Sequence, residues 1–466
     1  MSALPLLLST GVTPLLAVVR RFDPARISEH PLLFGALGAM VLLILCLAFV
    51  GKVPLAYNLR NLMVRWTTTL LMLVAFFVVV LLLVGMLAFV NGLEALTNNS
   101  GQPGNVVVFS SGANDEGFSN LALTEVSNVE RMEGIAADES GQRIVSKEVF
   151  VIVNREIPTP KGAPSRRQFV QLRGIEDPQL AGFVHGLKLK EGGQWFSEAG
   201  VEESAGGAEG QPQVVRQCVL GNGIAGELGK DRPGGQPLGV GELFEMADRS
   251  WKVVGILDST GSTFDSEVWA KRQIVGEGFG KESSYSSFVI RAADVNQAAT
   301  LAKSLKDSKE VALNAMTEQD YFQTLSETSR TLLYAVWIVV MFVALGGVFG
   351  VMNTMFAAIS QRIKDIGVLR MLGYSRKDVL MSFLLESLVL SLLGGLLGCA
   401  LGLLLDGLTA KSTVGGQGAA KTVVLQFVVS QEVLATGLLL SLLMGLIGGL
   451  LPALRAMRMK LLETLR

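Results

Sequence analysis

The feature that most restricts the fold of this chain is a set of long apolar runs without a charged residue. They occupy residues 31–51, 66–93, 331–361, 387–405 and 433–454. An α-helix rises about 1.5 Å per residue, so about 20 residues cross the hydrocarbon core of a bilayer. Four buried helices of this kind in a soluble protein would require a far larger polar part. We therefore predict a multi-pass α-helical membrane protein with four core transmembrane helices and one extra N-terminal transmembrane helix.

Residues 1–51 form an N-terminal hydrophobic region in which the first run, 31–51, is the predicted extra helix. Residues 1–19 also lack charge, but Pro5, Gly11 and Pro14 interrupt them. They lack the positively charged leading segment of a secretory signal peptide. We expect an interfacial or re-entrant segment there, with a marginal extra span as the alternative.

The charges are divided unequally between two parts of the chain. Residues 94–330 carry 23 Lys+Arg against 33 Asp+Glu, whereas the remainder carries 17 against 8. The overall net charge of −1 is a cancellation between these parts. A cytosolic enzyme and a nucleic-acid-binding protein are both poorly supported, so we expect no nucleic acid partner. A disordered chain is excluded because half of the residues are apolar.

Lysine and arginine in the short loops predict the orientation in the membrane. Residues 52–65, 362–378 and 455–466 are basic, whereas the loop 406–432 balances two acidic residues against two lysines. The three basic segments, including the C-terminus, are therefore expected in the cytoplasm. Residues 94–330 and 406–432 are expected on the outer side of the cell (inner) membrane.

Residues 94–330 have an ordinary soluble composition and predict a large α+β extracytoplasmic domain, which we expect to have two lobes. The predicted β-strands are 105–110, 147–154, 168–173, 214–220, 250–257 and 286–291. The predicted helices are 125–132, 224–228 and 295–304. Glycine-, serine- and glutamate-rich stretches at 200–212 and 233–241 are typical of loops.

A glycine motif in this domain resembles a nucleotide-binding fingerprint. Gly221, Gly223 and Gly226 match G-x-G-x-x-G after a predicted strand. No repeated parallel βαβ units surround it, and nucleotides are scarce outside the cytoplasm. We interpret the motif as a turn followed by a helix start and predict no bound cofactor.

The sequence predicts neither a metal site nor a catalytic residue. The three cysteines form no CxxC pair, and the two histidines, His30 and His185, are far apart in the chain, so a zinc site is not available. No serine has a nearby histidine to activate it. We interpret His185 as an ordinary surface histidine.

The basic loop after the run 331–361 is the most informative stretch of the chain. Apolar residues recur at helical spacing at Ile363, Ile366, Leu369 and Leu372, and charged residues fill the other face at Arg362, Lys364, Asp365 and Arg370. Gly373 suits the left-handed residue that ends a helix, and Ser375 with Asp378 has capping-box spacing for the next helix. Periodicity leaves two partners equally open for the apolar stripe, lipid head groups or a cytoplasmic protein.

Three further patterns lie in or near the membrane. Residues 54–66 predict an elbow helix on the lipid surface. Glycines at four-residue steps predict closely packed helices at Gly346 and Gly350, at Gly394, Gly398 and Gly402, and at Gly445 and Gly449. Glu386 lies near the cytoplasmic boundary, where we favour a structural role over a proton relay.

These residues resemble the FtsX-like/MacB-like permease family of ABC transporters, ABC permeases with a MacB-like periplasmic core domain. In the membrane part of the chain, the resemblance rests on the segments 365–373, 383–386 with 394–395, and 448–455. In the predicted extracytoplasmic domain, it rests on the segments 219–225, 240–241 and 251–255. The resemblance covers residues 52–466 and implies a coupling helix that docks on a separate ABC ATPase subunit. Of the two partners left open for the apolar stripe, the resemblance therefore favours a cytoplasmic protein over lipid head groups.

The resemblance also assigns residues to the contact with the ATPase partner. They are Ile363, Lys364, Asp365, Ile366, Gly367, Leu369, Arg370, Leu372 and Gly373. The family usually has glutamate where this chain has Asp365. Since the chain carries one set of four core helices and no ATPase motif, the resemblance implies a second permease copy, in a homodimer or a heterodimer.

Four domains are predicted. They are the N-terminal hydrophobic region 1–51, the elbow helix and first core helix 52–93, the MacB-like periplasmic core domain 94–330, and the FtsX-like C-terminal domain 331–466 with three transmembrane helices and coupling helix 361–373. The predicted function is the non-catalytic permease subunit of an ATP-driven transporter for efflux or for lipoprotein or lipid release. The alternatives are a mechanical regulator of an extracytoplasmic enzyme, such as a cell-wall hydrolase, and a membrane-anchored sensor without an ATPase.

Overall fold

The structure is a computed structural model that divides the chain into two compact units. It describes residues 31–50, 60, 62–157, 166–204, 213–232, 234–258, 261–308, 312–414 and 421–459. The membrane unit contains the chain up to Asn91, Leu332–Leu408 and the chain from Phe427. The ectodomain unit contains Gly92–Thr331 and Thr409–Gln426.

The described residues hold five helices that are long and apolar enough to cross a membrane. They are α1 (Pro31–Val50), α2 (Trp66–Asn98), α8 (Glu318–Gln361), α10 (Arg376–Gly402) and α11 (Gln431–Arg458). A short helix, α9 (Ile363–Met371), lies between α8 and α10. The prediction of a multi-pass helical membrane protein with one extra N-terminal helix is confirmed.

The extra helix α1 packs against α10 and α11. Leu33 and Leu37 contact an apolar cluster that includes Leu434 and Leu438 of α11. Leu42 and Phe49, on another face of α1, are exposed in this chain. An apolar face of this kind is suited to lipid.

The ectodomain unit is built on one ten-stranded sheet with helices packed against it. Its strands are β1 (Asn105–Ser110), β3 (Val145–Ile157), β4 (Arg166–Ile175), β5 (Val201–Ser204), β6 (Gln213–Leu220), β7 (Leu243–Met246), β8 (Arg249–Ile256), β9 (Glu267–Lys271), β11 (Ser287–Arg291) and β12 (Leu313–Thr317). They lie in the order β12-β1-β11-β3-β4-β9-β6-β8-β7, with β5 beside β6. Two small two-stranded sheets are formed by β2 (Leu121–Ala122) with β10 (Ser284–Tyr285), and by β13 (Thr409–Val414) with β14 (Lys421–Gln426).

The helices of the ectodomain are short. They are α3 (Leu123–Glu130), α4 (Pro178–His185), α5 (Asn222–Gly229), α6 (Arg272–Phe279) and α7 (Ala298–Lys306). Asp177 caps α4 by accepting hydrogen bonds from the Gln179 and Leu180 amides, and Pro178 occupies its first turn. Gly186 ends α4 in the left-handed conformation that glycine adopts without strain.

The predicted strands and helices of this domain are each present, with shifted ends. One expectation is wrong: Val201–Ser204, in the predicted loop 200–212, forms β5, because these residues pair with β6. The division of the domain into two lobes stays a prediction. Residues 1–30, 51–59 and 61 lie outside the described part, so the segment 1–19 and most of the elbow helix 54–66 stay predictions.

Candidate functional site

The chain changes direction between α8 and α9 at Arg362, whose backbone leaves the helical conformation at φ −106° and ψ 14°. Arg65 secures the end of α8 from another part of the membrane unit. Its guanidinium donates hydrogen bonds to the carbonyl oxygens of Ala358 and Gln361, each at 3.1 Å. These carbonyls belong to the last turn of a helix, where no intrahelical partner is available.

Arg362 is itself anchored by a buried ion pair with Glu386 of α10. Its two terminal nitrogens lie 2.6 and 3.0 Å from the two carboxylate oxygens of Glu386, and both side chains are buried. The guanidinium also lies over the ring of Phe383, 5.8 Å from its centroid. A two-point pair fixes direction as well as distance. The pair therefore joins the start of α9 firmly to α10 and gives Glu386 a structural partner.

The faces of α9 are divided differently from the predicted stripe. Ile366 is only 2% exposed and belongs to an apolar cluster with Met355 of α8 and Val379 of α10. Leu372, by contrast, is 72% exposed and lies beside Met371 on the outer surface of the membrane unit. The predicted stripe thus includes Ile366, which is buried and holds α9 in place, and Leu372, which is largely exposed.

The predicted contact residues fall into three groups. Lys364, Asp365, Leu372 and Gly373 are exposed; Ile363, Leu369 and Arg370 are half-buried; Ile366 and Gly367 are buried. The prediction missed Val368 and Met371, which are exposed apolar residues. Their spacing with Leu372 is also helical, and this second stripe was the available signal. Together, Val368, Met371 and Leu372 are called the outer face of α9 below.

The end of α9 and the start of α10 follow the predicted pattern. Gly373 has φ +95°, in the left-handed region that a side chain would strain. The Ser375 amide donates to Asp378 at 2.7 Å, and the Asp378 amide donates to the Ser375 hydroxyl at 3.2 Å. Both bonds of a capping box are present, so α10 has a fixed starting point.

The glycines of α10 and α11 allow helices to approach closely. A β-carbon at Gly398 would lie 2.8 Å from the β-carbon of Val80 in α2, and one at Gly445 would lie 2.7 Å from that of Ser391 in α10. Gly346 and Gly350 of α8 have no neighbour within 4 Å of such a β-carbon. The glycine steps in α10 and α11 therefore mark helix contacts within this chain, whereas that in α8 does not.

In the ectodomain, the G-x-G-x-x-G motif is explained by packing. Gly221 precedes α5, and a β-carbon there would overlap the backbone of Phe264 and Asp265. A β-carbon at Gly223 would lie 3.1 Å from the β-carbon of Val424. Gly221 and Gly223 are thus required by neighbouring protein atoms, whereas a β-carbon at Gly226 would have no neighbour within 4 Å. The arrangement agrees with the turn and helix start that we predicted.

The centre of the ectodomain contains a buried charged network that the sequence did not predict. Arg173 of β4 lies within 2.7 Å of Glu116 and Glu267 and 2.5 Å of Glu148. His185 extends the network, because its Nε2 lies 2.7 Å from Glu148 and its Nδ1 lies 3.1 Å from Glu318. All of these side chains are at most 6% exposed.

The network corrects the interpretation of His185 as a surface histidine, since the residue is only 3% exposed. Burial by itself would lower the pKa of His185, but Glu148 and Glu318 outweigh burial and raise that pKa to about 10. Burial would likewise raise the pKa of Glu148, yet His185 and Arg173 hold it below its ordinary value. At neutral pH His185 therefore carries a positive charge and donates from both ring nitrogens.

Glu318, the first residue of α8, connects this network to the end of α2. Its Oε2 accepts hydrogen bonds from the Gln102 amide at 2.9 Å and from the Asn105 side chain at 2.8 Å. Both donors follow α2 closely in the chain. No cluster of histidine, cysteine and acidic side chains suited to a metal ion occurs among the described residues.

Comparison with known families identifies the chain. Residues 69–308 match the model of the MacB-like periplasmic core domain, and residues 337–461 match that of the FtsX-like permease C-terminal region. These matches cover most of the ectodomain with its preceding helix, and most of the last three membrane helices. The chain belongs to the FtsX-like/MacB-like family of ABC transporter permeases.

Named relatives agree with this assignment. The chain is 31% identical over 259 residues to the uncharacterized ABC transporter permease MJ1507 of Methanocaldococcus jannaschii, over 53% of this chain and 62% of that protein. It is 28% identical over 381 residues to the macrolide export ATP-binding/permease protein MacB of Bdellovibrio bacteriovorus, over 75% of this chain and 53% of that protein. The chain thus spans less than two thirds of the length of either relative.

The periplasmic region of MacB from Actinobacillus actinomycetemcomitans is a similar solved structure. It is 17% identical, covers 49% of this chain and 95% of that structure, and superposes with a TM-score of 0.32. At such a score the likeness adds nothing to the family assignment.

Proposed function

We propose that this chain is the non-catalytic membrane subunit of an ATP-driven transporter, and that a separate ABC ATPase subunit binds at α9. The outer face of α9 carries the proposal. Three neighbouring apolar side chains are exposed there, beside Lys364 and Asp365, on a helix that the Arg362–Glu386 pair joins to α10. An exposed apolar patch with a charged rim is the usual composition of a protein contact.

In this proposal, force applied to α9 reaches the membrane helices through protein contacts. Ile366 packs between α8 and α10, and Arg362 is paired with Glu386, so α9 has little freedom to move alone. Closure of two ATPase subunits on ATP would displace α9 together with these helices. The basic loops 52–65, 362–378 and 455–466 support a cytoplasmic position for α9 and for the C-terminus.

The proposed assembly contains two permease copies, as a homodimer or with a sister permease, and two ATPase subunits. We assign its extracytoplasmic work to residues 94–330 and its coupling to residues 331–466. The proposed work is efflux or the release of lipoproteins or lipids. The relative named for macrolide export supports an export role for this family member.

Substitution on the outer face of α9 tests the ATPase contact. Val368→Asp places a charge in the proposed contact, and we expect recovery of the ATPase with the purified chain to fall about tenfold, since 1.4 kcal/mol of lost binding corresponds to that factor. Val240→Asp is the matched control, because Val240 is a similarly exposed valine in the ectodomain. Equal recovery with Val368→Asp and the unsubstituted chain would disprove docking at this face.

A further inference from the structure

The hairpin of β13 and β14 lies in the sequence between the last two membrane helices but belongs to the ectodomain unit. Its strands pair from Thr409 with Gln426 to Val414 with Lys421. Val423, Val424 and Leu425 are buried. A lone two-stranded hairpin is at best marginally stable in water, so this one depends on the surface that covers it.

One contact of the hairpin is an ion pair with a buried carboxylate. Glu227 of α5 is 1% exposed, and the Lys411 ammonium of β13 lies 2.5 Å from it. Lys230, the residue that follows α5, is another partner of Glu227. Since a buried carboxylate needs compensating charge, Lys411 and Glu227 hold the hairpin against α5.

A second contact is independent of charge. The Val424 amide donates a hydrogen bond of 2.8 Å to the Ser266 hydroxyl, and both atoms are buried. Val424 also packs where Gly223 has no side chain. The close approach of β14 therefore explains one glycine of the G-x-G-x-x-G motif.

The connections from the hairpin to α10 and α11 are short and joined to each other. The Gly407 amide donates to the Phe427 carbonyl, and the Phe427 amide donates to the Leu408 carbonyl, each at 2.9 Å. The Val429 amide donates to the Asp406 carboxylate at 2.9 Å. The two connecting segments are thus paired rather than separate flexible linkers.

We propose that the hairpin Thr409–Gln426 is a permanent second attachment of the ectodomain, through which displacement of α10 and α11 is transmitted to it. The first attachment is the pair of helices α2 and α8, which run directly into residues 92–331. Glu227 is the positioning residue that keeps the hairpin in place. This inference rests on the proposed function, because it requires ATP-driven displacement of the membrane helices.

Cross-linking tests whether the attachment is permanent. In full-length protein with Cys46→Ser, the substitutions Lys230→Cys and Thr409→Cys place cysteines at two exposed positions beside the Lys411–Glu227 pair and leave that pair intact. A bis-maleimide is used to bridge them, whereas Cys218 and Cys399 are buried and react poorly. We expect equal cross-linking in the complex with its ATPase before and after binding of an ATP analogue. We also expect unchanged ATP hydrolysis after cross-linking. Loss of cross-linking in either state, or loss of hydrolysis, would overturn the proposal.

Charge reversal tests the role of Glu227. Lys411→Glu should accelerate hydrogen exchange at the Val424 amide about tenfold or more, because local opening of the hairpin becomes easier. It should also reduce the change in exchange that the ATP analogue causes across residues 92–331. Adding Glu227→Lys to Lys411→Glu should restore the exchange rate of the Val424 amide and the ATP-dependent change across residues 92–331. Lys188→Glu, at an exposed ectodomain lysine, is the control and should alter neither quantity.

The outcomes separate the two proposals. An undiminished ATP-dependent change in Lys411→Glu, with the hairpin released, would overturn the inference and leave the proposed function intact. Failure of the unsubstituted chain to bind an ATPase would overturn the proposed function, and with it the transmission. The exchange rate of Val424 without nucleotide would still report the attachment itself.

Discussion

At the scale of single residues, the clearest feature is the number of carboxylates buried in the ectodomain. Glu116, Glu148, Glu267 and Glu318 surround Arg173 and His185 in the hydrogen-bonded network. Removing one partner from a buried pair leaves an uncompensated charge, which costs about 3–5 kcal/mol. The network therefore makes the centre of the sheet intolerant of substitution.

The stability of the ectodomain should depend on the charge of His185. The pKa of His185 is about 10 in the folded protein and near 6.5 in an unfolded chain. Because the pKa is higher in the folded state, protonated His185 stabilises the fold fully at pH values below about 6.5. This stabilisation is lost as the pH rises through about 10. We expect the difference in unfolding midpoint between the unsubstituted chain and His185→Gln to be largest near pH 6 and to shrink progressively as the pH rises from about 6.5 to about 10.

Fluorescence of the buried residues Trp251 and Trp269 during thermal unfolding measures this difference. Below the ordinary pKa of Glu148 the difference should also fall, because Glu148 has a lowered pKa and its stabilising charge is lost on protonation. A constant difference between pH 7 and pH 10.5 would contradict the charge assigned to His185.

At the scale of elements, the helix contacts of the membrane unit depend on glycines that face particular partners. Gly398→Leu should destabilise the protein by at least 1–3 kcal/mol, the order of magnitude for overpacking, because α2 is too close to accommodate a side chain. Gly350→Leu is the control, since its position in α8 has free space within this chain. Thermal unfolding in detergent compares them, and equal loss in the two variants would refute the contact.

The sequence was sufficient for elements with strong local signals. The long uncharged runs predict the membrane helices, and the capping box at Ser375 and the glycine at 373 predict the break between α9 and α10. The strand β9 was missed because Glu267 within it lacks the usual apolar pattern; Arg173, distant in the chain, provides its partner. His185 was misinterpreted for the same reason, as its partners come from β3 and α8.

The site on α9 was predicted as a helix, but its exposed face was not. Ile366 and Leu372 belong to one periodic stripe, yet only the position of α8 and α10 decides that Ile366 is covered. Periodicity gives the faces of a helix without saying which face has a neighbour. The contact with an ATPase stays a prediction that the outer face of α9 now defines more narrowly.

At the scale of the whole molecule, the positive-inside pattern predicts opposite sides for the ectodomain and α9. Cysteine labelling of intact cells tests this with Lys188→Cys and Lys364→Cys, two exposed positions, after Cys46→Ser. A membrane-impermeant maleimide should label position 188 at once and position 364 only after permeabilisation. Labelling of both positions in intact cells would contradict the proposed orientation and the role of α9 with it.

The two-part composition of the ectodomain unit has a consequence for its synthesis. A ribosome completes Gly92–Thr331 long before it reaches Thr409–Gln426, and the remainder of α8 is made in between, together with α9 and α10. Until then Glu227 lacks Lys411, and Ser266 lacks the Val424 amide. The contacts of the hairpin with α5 and Ser266 can therefore form only after the third core helix has been made, and a fragment ending at Thr331 would lack them.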